Sequence, residues 1–261
     1  MSTIQTQPTS EIDYPDSDGQ PMAETPQHRK IMTDTIETLE YQFAADPMVY
    51  VSGNMFVYYV PGDRLRHVAP DVFLVRGIPK AIERRRYLVW EEGKGPDFIV
   101  EITSESTREE DIDDKFDIYQ DWIKVAEYFL FDPYGEYLKP PLRGYRLVAG
   151  VYQPIEPVDG RLPSEVLGLH LERHGGQLRL YDPKTGKWLP TPTERAANAE
   201  AAQAEAEAAQ AEAEAGRANA ESARRQEEAA RLKAEAEAEQ LRRELEELRR
   251  QLAKSPPGPT S

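Results

Sequence analysis

Apolar and polar positions along the chain change period several times, and each change marks an element. Ile36, Leu39, Glu40 and Phe43 follow a helical spacing, and Thr33, Asp34 and Thr35 stand in front of them as N-capping residues. MVYVSGNMFVYYV, residues 48 to 60, offers two β-rich runs around Ser-Gly-Asn and predicts a hairpin. PDVFLV (70 to 75), YLVWEE (87 to 92) and PDFIVEI (96 to 102) predict three strands. Between Thr107 and about Lys124 the period is helical again, with Ile112, Lys115, Phe116, Tyr119 and Ile123 on one face. EYFLFDP (127 to 133) reads as a buried strand stopped by Asp-Pro, and GYRLVAGVYQPI and GQLRLYDPKTGKWL read as later hairpins. Strand, helix and strand joined to hairpins predict an α/β domain, a mixed β-sheet flanked by helices.

From Thr193 onward the pattern gives way to low-complexity Ala, Glu, Arg and Gln, residues high in helix propensity, interrupted only by Gly216 before the terminal SPPGPTS. Leu241, Leu245, Leu248 and Leu252 follow a four, three, four spacing that fits a short coiled-coil seam and a route to a homodimer. Upstream, the same register falls on Ala, Arg and Glu, so the seam fades into a solvated helix. The expected organisation is a disordered acidic tail over residues 1–30, a globular domain over 31–192, a helix with a terminal coiled coil over 193–254, and a disordered tail over 255–261.

Composition narrows the chemistry. None of the 261 residues is cysteine, which excludes disulfides and cysteine-based zinc or nucleophile chemistry. The polar, acidic start shows no secretory or transit signal, and no apolar window reaches the roughly 20 residues of a membrane helix, so a cytoplasmic protein without a membrane partner is expected. A formal net charge of −15 speaks against a general nucleic-acid coat protein, whose affinity comes from Lys and Arg releasing counterions. It leaves a nuclease open, because an acidic site can meet a phosphate through a bound cation.

GPDFIVEITSES, residues 95 to 106, then raises a question, because it puts Asp97 and Glu101 inside an apolar run. A charge at that depth is costly unless paired, hydrogen-bonded or metal-bound. On one strand the two acids lie roughly 13 Å apart, at about 3.3 Å per residue, too far to share one ion. If PDVFLV runs antiparallel to PDFIVEI, with residues 77–95 as the connection, Asp71 faces Glu101 instead, and Asp97 is left to close a turn or hold a loop amide.

Asp on one strand and Glu on its neighbour resemble the PD-(D/E)XK nuclease superfamily, the restriction-endonuclease-like fold, except that Thr103 stands where that motif carries lysine. Lys115, on the helical face expected to pack on the sheet, is the substitute. The ordered run APDVFLV, PDFIVEITSEST, EDIDDKFDIYQDW and VAEYFLFDP resembles the Uma-type family of endonucleases within that superfamily, over about residues 40 to 195. The resemblance implies Asp71, Glu101 and Lys115 as the catalytic set of a metal-dependent endonuclease acting on DNA. Asp71, Glu101 and the carbonyl of Ile102 would hold Mg²⁺ or Mn²⁺. The alternative is an inactive nuclease fold that binds or scaffolds partners through its C-terminal helix, with Glu101 and Lys115 as a structural ion pair.

The remaining candidates have simpler readings. Ser104 and Thr107 cap the following helix. Glu91 and Glu92 precede a Gly93-Lys94-Gly95 turn that lacks phosphate-loop spacing. The histidines at 28, 67, 170 and 174 show no metal-ligand spacing, although His67 is near Asp71 in sequence. Arg84, Arg85 and Arg86 form a compact basic run that suits either DNA steering or a solvated loop.

Overall fold

The computed structural model describes residues 13–17, 25–103 and 114–254. Helix α1 (Pro26–Gln42) starts at Thr25, whose side chain accepts the His28 N–H at 3.1 Å, with proline at the first helical position. The helix therefore begins before the Thr33 to Thr35 cluster, in residues that read as tail. Thr35 and Thr38 are tolerated inside it because their hydroxyls donate back to the carbonyls of Ile31 and Asp34 at 2.7 and 2.6 Å.

The first strands are β1 (Val49–Ser52), β2 (Val57–Tyr58), β3 (His67–Val68), β4 (Val72–Arg76) and β5 (Tyr87–Leu88). A helical turn, α2 (Val89–Glu92), and β6 (Phe98–Ile102) follow. After residues 104–113, α3 (Lys115–Asp117) runs into a π-helical segment, Ile118–Ile123, and then come β7 (Glu127–Phe131), β8 (Leu142–Val148) and β9 (Val151–Pro154). The chain ends with β10 (Leu162–Ser164), β11 (Leu169–His174), β12 (Gln177–Asp182), β13 (Lys187–Trp188) and α4 (Pro192–Lys254).

Six strands form the main sheet in the order β1-β4-β6-β7-β8-β9, and only the β6–β7 pair is parallel. That pair is joined through the helical segment, the crossover a parallel connection requires. Strands β10 to β13 form an antiparallel sheet, and β3-β2-β5 a small mixed one. The expected antiparallel pairing of PDVFLV with PDFIVEI is present, and GYRLVAGVYQPI and GQLRLYDPKTGKWL are hairpins.

Two further expectations fail. The hairpin over residues 48 to 60 does not form: Asn54 N–H bonds to the Pro70 carbonyl at 2.8 Å, β1 pairs with β4, and β2 pairs with β3 and β5. YLVWEE is a strand for two residues only, after which the chain coils into α2 and stops at Gly93 with φ of +77°.

Central strands β4, β6 and β7 are buried on both faces, which explains why their sequences are apolar without alternation. On one face Val72, Leu74, Phe98, Val100, Ile102, Phe129 and Phe131 pack with α1 and the β10–β13 sheet. On the other, Phe73, Val75, Ile99, Tyr128 and Leu130 pack with Tyr119 and Ile123 of the helical segment. Burying an aromatic or branched aliphatic side chain contributes about 1.5–3 kcal/mol, so these two layers dominate the fold's stability.

Strand β7 ends at Asp132, which is buried and accepts N–H donors from Tyr134, Gly135, Tyr137 and Leu138. Burial works to raise this carboxyl's pKa, but the four backbone donors outweigh it and hold the group below the usual aspartate range. A carboxyl whose folded pKa is depressed stabilises the native state above its unfolded pKa of about 3.9, and that contribution disappears as pH falls through the folded value. Acid unfolding of the wild type below about pH 4 is therefore expected to be steeper than that of Asp132→Asn, as followed by circular dichroism.

The chain divides into two compact units, residues 1–195 and 196–261. In the first, the opening turn of α4 is anchored by Glu194, paired with buried Arg179 at 2.8 Å. The described part of the second, to Lys254, is helix, exposed at every residue from 196 to 250, with i,i+4 pairs such as Glu239 with Arg243 at 2.6 Å. Leu241, Leu245 and Leu248 lie on it in solvent. No described helix is long and apolar enough to cross a membrane.

Candidate active site

Antiparallel pairing of β4 with β6 aligns Val72 with Val100 and Phe73 with Ile99, so the next positions outward, Asp71 and Glu101, meet at one rim of the sheet. Asp71 N–H donates to Glu101 Oε2 at 3.3 Å. The Asp71 carboxylate accepts the Ile102 N–H on Oδ2 at 2.7 Å and lies 3.0 Å from His28 Nε2 through Oδ1. Alternation along β6 puts Glu101 on the same face as Ile99, toward the helical segment, and leaves it with no exposed surface.

That segment answers the buried charge with two groups one turn apart. Tyr119 O–H donates to Glu101 Oε1 at 2.6 Å, and Lys115 Nζ lies 3.2 Å from Oε2. Lys115 is itself buried, its stem packed and its ammonium delivered to the carboxylate. Removing either partner of such a pair leaves an uncompensated charge and costs about 3–5 kcal/mol. The π-helical geometry starting at Ile118 sits directly under this contact, where π segments are often found at working sites.

Asp71, Glu101 and Lys115 are thus together, and Ile102 joins them through its backbone. Thr103, at the usual lysine position, is buried and spends its N–H and hydroxyl on the Phe131 carbonyl at 2.8 and 3.2 Å, locking β6 to β7. Asp97 lies at the other end of β6, accepting the Arg76 N–H at 2.7 Å and pairing with Lys94 at 2.7 Å, so it holds a loop amide. Arg84 is buried against Glu92 at 2.7 Å, and that hydrogen bond raises its pKa further, which makes it a structural cation. Arg85 is exposed and pairs with Asp16. Ser104 and Thr107 lie outside the described residues.

Among the described residues, no three His, Asp or Glu side chains are placed to hold a metal ion. At that rim the chain offers the Asp71 and Glu101 carboxylates and the Ile102 carbonyl, hard oxygen ligands of the type Mg²⁺ and Mn²⁺ prefer. They fit such a cation.

Two site residues escaped the sequence reading. His28 lay in what read as tail, and the Thr-Pro pair before it was the available signal for a helix start. Tyr119 was visible as a packing residue, but its hydroxyl role follows only from the depth of Glu101. Gly53 is a third determinant: a Cβ there would lie 2.0 Å from the Asp71 carbonyl oxygen and 2.7 Å from Ile36 Cδ1. Gly53→Ala is expected to displace the Asp71 backbone, costing about 1–3 kcal/mol in urea unfolding and lowering activity in parallel.

A family model described as "Uma2: Putative restriction endonuclease" matches residues 3–208. The chain belongs to the Uma2 family. Membership supports a nuclease and gives the mixed sheets with helices their restriction-endonuclease-like designation. No curated protein matches this Uma2 chain. Four solved chains do, among them the crystal structure of "a putative nuclease belonging to DUF820" from Anabaena variabilis. The two are 15% identical, with a TM-score of 0.42, over 58% of this chain and 80% of that one.

Proposed function

We propose that the protein is a metal-dependent endonuclease hydrolysing phosphodiester bonds of DNA, with Asp71, Glu101 and Lys115 as its catalytic set. The observation that supports this most is the Lys115 ammonium 3.2 Å from Oε2 of a fully buried Glu101, an oxygen that also accepts the Asp71 N–H. A lysine that has left its usual strand position still arrives at the acid pair.

Asp71 and Glu101, with the Ile102 carbonyl, would hold Mg²⁺ or Mn²⁺, which supplies polarisation of the phosphoryl oxygen and a lowered pKa for bound water. The chain's own groups do the rest. Lys115 places a positive charge where negative charge develops on the phosphoryl oxygens. Tyr119 fixes the Glu101 rotamer, and His28 fixes one oxygen of Asp71. Water adds to phosphorus and releases one proton to solvent, the bond to the leaving oxygen breaks, and that oxygen takes a proton from solvent.

Titration of Mn²⁺ or Mg²⁺ into the protein, following labelled DNA as duplex and as single strand, tests this. Cleavage that appears with the metal, disappears with chelator and is absent from Glu101→Ala supports it. Cleavage that persists in Glu101→Ala assigns the activity to another site.

A further inference from the structure

We infer that the groove beside Lys115 is the path of a single-stranded nucleic acid, and that Trp122 is the platform on which one of its unpaired bases stacks. This rests on the nuclease reading of the site and names its substrate class. The groove encloses about 760 Å³ and is lined on its cationic side by Arg66 and Lys115, with His67 and Tyr59 along it. Its wall therefore includes the lysine assigned above to the reacting phosphate.

Trp122 stands at its rim. Its neighbours Tyr119 and Ile123 turn into the core, whereas Trp122 itself is 57% exposed. Two groove residues hold it: the Tyr59 ring lies 6.0 Å away between centroids at 56°, and the Arg66 guanidinium lies 5.8 Å from the indole centroid. An indole left in water beside a half-exposed guanidinium is the combination that single-strand binding proteins present to bases and phosphates. Lys115 and Trp122 are seven positions apart, at most about 10 Å along the segment at the α-helical rise of 1.5 Å per residue and less where it is π-helical, so a strand lying against the lysine reaches the indole with a neighbouring base.

The charges favour stacking over a phosphate cradle. Asp63, Asp114 and Asp117 line the same groove, and Arg66 lies 3.9 Å from Asp63. With the chain at −15, counterion release has little to draw on, so the aromatic face carries the affinity. A paired base in duplex has both faces stacked, and Trp122 can receive only an unpaired one.

The test is binding of a labelled oligothymidylate to full-length protein in chelator, where no cleavage occurs, by fluorescence anisotropy. Wild type is expected to bind the single strand more tightly than a blunt duplex, with a shallow salt dependence. Trp122→Ala is expected to raise Kd about five- to hundredfold, Trp122→Phe to retain most of the affinity, and Arg66→Ala to lower the salt slope by about 0.7. Trp122 is exposed, so circular dichroism should show the variants folded. An unchanged Kd for Trp122→Ala, or duplex bound as tightly as single strand, overturns the inference. If that happens while Glu101→Ala still abolishes metal-dependent cleavage, the groove assignment falls and the nuclease reading stands. If the binding pattern appears as expected but no metal elicits cleavage, the nuclease reading falls and the groove remains a single-strand site.

Discussion

Replacing Glu101 by Gln is expected to lower metal-dependent DNA cleavage by about a thousandfold, the scale on which loss of one preorganised electrostatic group acts. Gln keeps the shape and can still accept from Tyr119, but it offers neither an anionic ligand for a cation nor a countercharge for Lys115. The Gln amide oxygen can still accept from Lys115, so the destabilisation is about 1–3 kcal/mol, less than complete removal of the partner costs. The double variant Glu101→Gln/Lys115→Met separates the two effects. Removing the orphaned ammonium restores much of the stability, whereas cleavage stays absent. A purely structural ion pair would show the stability changes with no cleavage to lose in the wild type.

The largest effect on stability is expected at Glu127. This carboxylate, 1% exposed on β7, accepts from Arg146 Nε at 3.0 Å, from the Glu165 and Val166 amides at 2.8 and 3.3 Å, and from the Ser164 hydroxyl. It joins the main sheet to the start of the β10–β13 sheet. Glu127→Ala strands a hydroxyl and two amides at once and leaves the Arg146 guanidinium only Glu165 and the Pro163 carbonyl, and is expected to cost about 3–5 kcal/mol in urea unfolding. Glu127 pairs with Phe98 at the far end of β6 from Glu101, so activity per folded molecule should be unchanged well below the melting temperature. Lost activity in a folded Glu127→Ala protein would show that the two sheets position the site together.

The two buried carboxylates illustrate how far the sequence reaches. Glu101 was legible because an acid inside PDFIVEI demands a partner, and the antiparallel pairing with PDVFLV supplied Asp71. Lys115 was legible because helical period put it on the packing face. Glu127 begins its strand, where an acid reads as a boundary residue, and its partners lie 19 positions onward and again 37 to 39 positions onward, beyond any local pattern. The lost hairpin at residues 48 to 60 has the same cause. Ser-Gly-Asn is a local turn signal, but β1 and β2 find better partners in β4 and in β3 and β5. His28 was hidden by a misplaced helix start, since threonines that bond back to the preceding turn look like caps when only the sequence is read.

The central claim is that Asp71 and Glu101 grip one divalent cation beside Lys115. A crystal soaked in Mn²⁺, with anomalous scattering locating the ion, tests it most directly. The account predicts a single strong peak bonded to both carboxylates, lost in Asp71→Asn crystals. Manganese bound elsewhere, or no peak at that rim while cleavage proceeds, would contradict it.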